Sequence, residues 1–91
     1  MEKTLDGFIT YLHNVKKKSE NTVLSYNRDL TKFIKYLRTN KITSLDKVEE
    51  KDLEKYIKEL NDNGFKSATV SRNIASLKAF FHYLNNEGVL S

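Results

Sequence analysis

The sequence predicts an all-α protein, a compact bundle of four helices, and three observations carry that prediction. Proline is absent and glycine stands only at Gly7, Gly64 and Gly88, so few points interrupt a helix. Apolar residues recur every three or four positions along long segments, the period of a helix face rather than of a strand. At 91 residues the chain is long enough for one core and too short for two.

The first helix is expected from about Thr4 to Val15, with Thr4 as N-cap and Leu5, Phe8, Ile9 and Leu12 as its apolar stripe. KKKS at 16–19 is the connection. Ser19 then caps a second helix that runs to about Arg38, with Val23, Tyr26, Leu30, Phe33 and Leu37 facing inward. TNKITSLDKV at 39–48 reads as a loop anchored by Ile42, Leu45 and Val48. The third helix is expected over Glu49 to Asn61, with Leu53, Tyr56, Ile57 and Leu60 on one side and acidic residues in its first turn, where the helix dipole favours them. Asn63-Gly64 ends it, glycine being suited to the left-handed C′ position. Ser67 is the expected cap of a fourth helix that reaches about Asn86 and closes near Gly88, with Val70, Ile74, Leu77, Phe81 and Leu84 inward. Leu30, Phe33, Leu53, Ile57, Ile74, Leu77 and Phe81 are expected to be mostly buried.

Composition excludes several classes of function. No apolar run approaches the roughly 20 residues of a membrane span, and MEKTLDGF has no signal-peptide pattern. There is no cysteine, so disulfides and thiolate metal sites are unavailable, which fits a reducing cytoplasm. His13 and His82 fall on different helices and read as solvent-facing or edge-packed rather than as ligands. Neither a glycine-rich phosphate loop nor a nucleophile elbow is present. Tyr11, Tyr26, Tyr36, Tyr56 and Tyr83 lie on or beside apolar stripes and read as packing residues. No cofactor, metal or active site is expected in this chain.

Charge is distributed unevenly. Residues 1–15 carry a net −1, 16–40 a net +5, 41–64 a net −2 and 65–91 a net +2, within a total of +4. The second segment is therefore the basic one, and a polyanion is the partner such polarity suggests. Outside its inward stripe the second helix carries Asn21, Ser25, Arg28, Lys32 and Lys35 on another stripe, with Thr22 beside Asn21 and Lys16, Lys17 and Lys18 just ahead. Hydrogen-bonding residues flanked by lysines suit base edges and phosphates of a major groove; a solvated basic helix is the alternative. On the fourth helix, Arg72, Ser76 and Ala79 lie opposite the apolar stripe with Ala75 beside them. Together with Thr69 and Ala68 they make a small, lightly charged face that would let the helix backbone approach a partner closely, unless the alanines pack within the bundle. Phe80 and Tyr83 lie off the inward stripe. They would meet either a neighbouring protomer or further domain, or the first helix.

SENTVLSYNRDLTKFIKYL at 19–37 resembles the second helix of the N-terminal core-binding, or phage-integrase SAM-like, domain of tyrosine recombinases. The shared features are Ser19, Asn21-Thr22, Tyr26, Asp29-Leu30, Phe33 and Leu37. SATVSRNIASLKAFFHYLNNEG resembles its fourth helix through Thr69, Arg72, Ile74, Ser76-Leu77-Lys78, Phe80-Phe81, Tyr83-Leu84 and Glu87-Gly88. The resemblance covers nearly the whole chain and is strongest to Xer-type recombinases and related phage or transposon integrases. Two positions depart from the pattern: Glu49 where Ser or Thr is commoner, and an outward Leu24 where a smaller residue is usual.

The resemblance implies a SAM-like four-helix domain, residues 1–91, that forms one half of a clamp on double-stranded DNA. Its second and fourth helices would lie near the major groove while a C-terminal catalytic domain, joined by a linker, grips the opposite face. It implies other recombinase protomers as partners, a place at the nucleoid in the cytoplasm, and no catalysis by this chain alone. Val89-Leu90-Ser91 carries no stop signal, as expected of a fragment, which should be monomeric. The rival readings are a helical protein–protein interaction module and a free-standing DNA-binding regulator.

Overall fold

The computed structural model describes residues 1–87, which form α1 (Glu2–Asn14), α2 (Glu20–Thr39), a short 3-10 turn (Leu45–Lys47), α3 (Glu50–Asp62) and α4 (Ser67–Asn86). No strand occurs among the described residues. Gly88, the expected end of the last helix, lies outside them. The Cα radius of gyration is 12.8 Å and the shortest dimension 17 Å, room for two helix layers of about 10 Å each.

Each helix start has a local cause. Ser19 is extended (φ −62°, ψ 155°), and its side chain accepts the Thr22 backbone N–H, as a capping serine does. Ahead of α3, the Glu49 N–H donates to the Asp52 carboxylate at 2.8 Å, so an aspartate three residues on does part of the work of a Ser or Thr cap. Two expected caps are corrected. α1 begins at Glu2 with Met1 as N-cap, so Thr4 lies inside the helix; α4 is capped by Lys66, so Ser67 is its first helical residue. At the end of α3, Gly64 adopts φ +81°, and the Phe65 N–H turns back to the Leu60 carbonyl at 3.3 Å.

Two aromatic clusters hold the layers together. Phe8 meets Tyr26 at 5.9 Å between ring centroids, Phe80 at 5.3 Å and Tyr83 at 5.1 Å, joining α1, α2 and α4. Phe33 meets Tyr56 at 5.2 Å and Phe81 at 6.1 Å, joining α2, α3 and α4. Phe80 and Phe81, 5.8 Å apart, link the clusters into one core. Gly7 lets α1 approach closely: a Cβ there would lie 3.3 Å from the Tyr83 hydroxyl.

Leu30, Phe33 and Leu77 are buried as the apolar periodicity requires, while Leu53, Ile57, Ile74 and Phe81 pack against the same core but keep part of their surface exposed. The physical reason on α4 is a rotation of the helix. Its buried residues are Val70, Asn73, Ser76, Leu77, Phe80 and Leu84, a stripe turned toward polar positions. Phe80 is therefore 0% exposed and Tyr83 half-buried against Phe8 and Tyr11. Packing on the first helix, one of the two expectations for this pair, is what the structure shows, with Phe80 fully buried and Tyr83 still partly exposed.

Candidate nucleic-acid interface

The basic connection is a fixed turn rather than a loose tether. Lys17 takes φ +52°, and the N–H groups of Lys16 and Lys18 fold back onto the carbonyls of Tyr11 and Leu12 at 3.1 and 3.0 Å. Lys16, Lys17 and Lys18 are consequently exposed and held at the N-terminal end of α2. Ser19 donates its hydroxyl proton to Thr22 Oγ1 at 2.8 Å, so Thr22, half-buried, is already engaged by the cap.

Further along α2 the residues of the second stripe come together. Asn21, Ser25 and Arg28 line one shallow surface depression with Leu24 and Asn27. Leu24 is 57% exposed, an apolar group among hydrogen-bonding neighbours. Arg28 and Lys35 are exposed, whereas the Lys32 ammonium sits 4.2 Å from the Phe65 ring centroid in a cation–π contact. Among the described residues, none of Lys16, Lys17, Lys18, Arg28, Lys32 and Lys35 forms an ion pair. The acids that do pair serve Arg38, Lys51, Lys58, Arg72 and the N-terminus. The positive field of α2 is thus left largely uncompensated at short range.

α4 is arranged differently. Asp29 of α2 is buried, and it accepts Arg72 Nε at 3.0 Å, Arg72 Nη2 at 2.8 Å and Ser76 Oγ at 2.9 Å. Ser76 is 3% exposed, which removes it from the outer face on which the sequence reading put it: its hydroxyl satisfies a buried carboxylate instead. Arg72 does not stand opposite the core either. It leans across to α2, its side chain 43% exposed, and Nη1 takes no part in the bonds to Asp29. The hydrogen bond to Asp29 raises the guanidinium pKa further, partly opposed by burial and helped by the aspartate's charge. Thr69 is half-buried and its carbonyl accepts Asn73 Nδ2 at 2.9 Å; Ala75 is exposed and Ala79 packs on the core.

Sequence reasoning missed the roles of Asp29 and Asn73. A signal for Asp29 was available, because it lies three residues after Tyr26 and four before Phe33, on the inward stripe of α2. A carboxylate there demands a cation from a neighbouring helix. Nothing comparable marks Asn73. Among the described residues, two buried polar atoms, Asn73 Oδ1 and Tyr56 OH, lack a hydrogen-bond partner. Burial first, then the charges of Asp29 and Glu59, pushes the Tyr56 phenol well above its ordinary range.

Among the described residues, His13 and His82 are exposed and bond only to Asn14 and Asn86, and no cluster of His, Asp and Glu suits a metal ion. No helix among the described residues is long and apolar enough to cross a membrane.

Residues 5–88 match the family model for the phage integrase N-terminal SAM-like domain. A tyrosine recombinase from Thermosipho africanus is 34% identical over 99% of this chain, which covers 32% of that protein. Tyrosine recombinase XerD from Listeria innocua is 36% identical over 100% of the chain, covering 31% of the relative. For tyrosine recombinase XerC from Pseudomonas putida the identity is 32% over 98% of the chain, covering 30% of the relative. The chain thus spans about a third of the length of the curated relatives it matches. No solved structure matches it. With four helices in the expected order and a match from Leu5 to Gly88, the chain belongs to the family of phage-integrase N-terminal SAM-like domains found in tyrosine recombinases.

Proposed function

We propose that this domain binds double-stranded DNA as the non-catalytic half of a recombinase clamp, with α2 as the principal contact and the exposed edge of α4 beside it. The observation that carries the reading is the uncompensated cationic surface of α2. Lys16, Lys17 and Lys18 stand in a fixed turn at its start, Arg28 and Lys35 along its length, and Asn21 and Ser25 share a depression with Arg28. Lysines without acidic partners attract phosphates, and short polar side chains among them can reach base edges. On α4, Thr69 and Arg72 contribute to the same surface. Arg72 adds less net attraction than Arg28, because Asp29 offsets its charge. The reaction chemistry lies with a C-terminal catalytic domain, and further recombinase protomers complete the assembly on DNA. Alone, the domain is a monomer that leaves supercoiled plasmid unchanged.

Fluorescence anisotropy of a labelled 25-base-pair duplex, titrated with the 91-residue chain at several salt concentrations, tests this reading. Each phosphate neutralised contributes about 0.9 to the slope of log affinity against log salt. Replacing Lys16, Lys17 and Lys18 together by alanine should therefore lower the slope by about 2 to 3 and weaken all duplexes alike. Binding that is absent at low salt, or indifferent to salt, would reject the DNA reading in favour of a protein-binding helical module.

A further inference from the structure

We propose that Asp29 is a positioning residue of the DNA face: it holds the Arg72 guanidinium at the seam of α2 and α4 so that the two helices act on a phosphate backbone as one surface. The inference rests on the DNA-binding reading above.

The geometry is specific. Asp29 follows Arg28 on α2, yet its own side chain is only 1% exposed. All three donors that satisfy it come from one turn of α4: Nε and Nη2 of Arg72, and Oγ of Ser76. A fork of two parallel bonds fixes a guanidinium in plane as well as in place, which a single bond does not. The fork immobilises a side chain that remains 43% exposed, and Nη1 is not part of it. Stability alone is a weak account of such a pair, because burying a carboxylate costs much of what the attraction supplies. Pre-orienting a long, otherwise mobile cation at a binding surface is a distinct advantage, since the ordering cost is met before the ligand arrives.

The proposal makes a prediction of opposite sign to simple electrostatics. Asp29→Asn removes a negative charge beside a polyanion, so by charge alone it should tighten DNA binding. If Asp29 positions Arg72, the variant should instead bind the 25-base-pair duplex about three- to tenfold more weakly, at a temperature where circular dichroism shows it folded. Arg72→Ala should cost about tenfold in the wild-type background and less than about twofold in the Asp29→Asn background, since the arginine would already be misplaced. Binding by Asp29→Asn equal to or tighter than wild type, or the same loss from Arg72→Ala in both backgrounds, would overturn the proposal. Should Asp29→Asn fail to fold, Arg72→Lys carries the test: it keeps the charge but cannot form the fork. It should bind about as weakly as Arg72→Ala, and wild-type affinity would overturn the proposal. A wild-type chain that does not bind the duplex would sink the DNA reading and this inference together. Wild-type binding with an unaffected Asp29→Asn would sink this inference alone.

Discussion

Replacing Phe80 by alanine discriminates between the two possible orientations of α4. On the apolar periodicity alone Phe80 sits on the flank, and trimming a surface side chain changes stability by only about 0.5 kcal/mol. In the structure it is 0% exposed, 5.3 Å from the Phe8 ring and 5.8 Å from Phe81, at the junction of both aromatic clusters. Truncation there should cost about 3–5 kcal/mol, the transfer of the ring plus the cavity left behind. A domain of 91 residues has about 5–14 kcal/mol in all, so the variant would keep only a fraction of its margin. With a urea dependence of about 1.5 kcal/mol per molar, the midpoint should fall by about 2–3 M. Far-ultraviolet circular dichroism across a urea series reads it, with Lys78→Ala, exposed on the same helix, as the control expected to move little. A Phe80→Ala midpoint within about 0.5 M of wild type would refute the burial. It would also return Ser76 to the outer face.

Two further outcomes test other parts of the structure. Tyr56→Phe should cost almost nothing at neutral pH, because the hydroxyl it removes is buried without a partner. It should also protect the domain at alkaline pH. The folded phenol is held above its ordinary range, so above about pH 10 the unfolded chain binds fewer protons than the folded one, and stability falls as pH rises. Melting temperatures of both proteins between pH 8 and 11 would check this, and an alkaline loss as steep in Tyr56→Phe would reject it. Gly64→Ala places a methyl group in open space but at φ +81°, so its cost of about 1–2 kcal/mol should come from backbone conformation alone. Recovery by Gly64→Asn, read from the same urea midpoints, would support that cause, and no loss on Gly64→Ala would contradict it.

The parts of the fold that were legible are those written in local rules. Ser19 before an apolar period gave α2 to within a residue at each end, and Asn63-Gly64 gave the end of α3. The face of α4 was not legible. Ser76 is polar and reads as outward, yet it is buried because a carboxylate 47 residues away accepts its hydroxyl, and Asn73, which nothing in the spacing marks, is buried with its side-chain amide donating to a carbonyl one turn back. Periodicity weighs each side chain alone, whereas burial of a polar group is decided by its partner. The same limit divides the candidate site. The exposed stripe of α2 could be read from spacing, since its residues lie on one helix. The pairing of Arg72 with Asp29 could not, since it exists only once α2 and α4 meet.

The bond between Asp29 and Arg72 also bears on how long a folded molecule lasts. α1 packs on α2 and α3 on α4, neighbours in the chain, while α2 against α4 is the main contact between the two pairs, and contacts within a pair of neighbours form quickly. The bonds from Asp29 span 43 residues to Arg72 and 47 to Ser76, joining one helical hairpin to the other. Contacts across such distances must first close a long loop, so we expect them to form after the main barrier has been crossed. Losing them should then speed unfolding and leave the folding rate nearly unchanged. Stopped-flow urea jumps on Arg72→Ala would show this, and an equal slowing of folding would put the pair in the nucleus instead. By this reasoning the buried carboxylate governs the lifetime of the folded domain far more than the speed at which it forms.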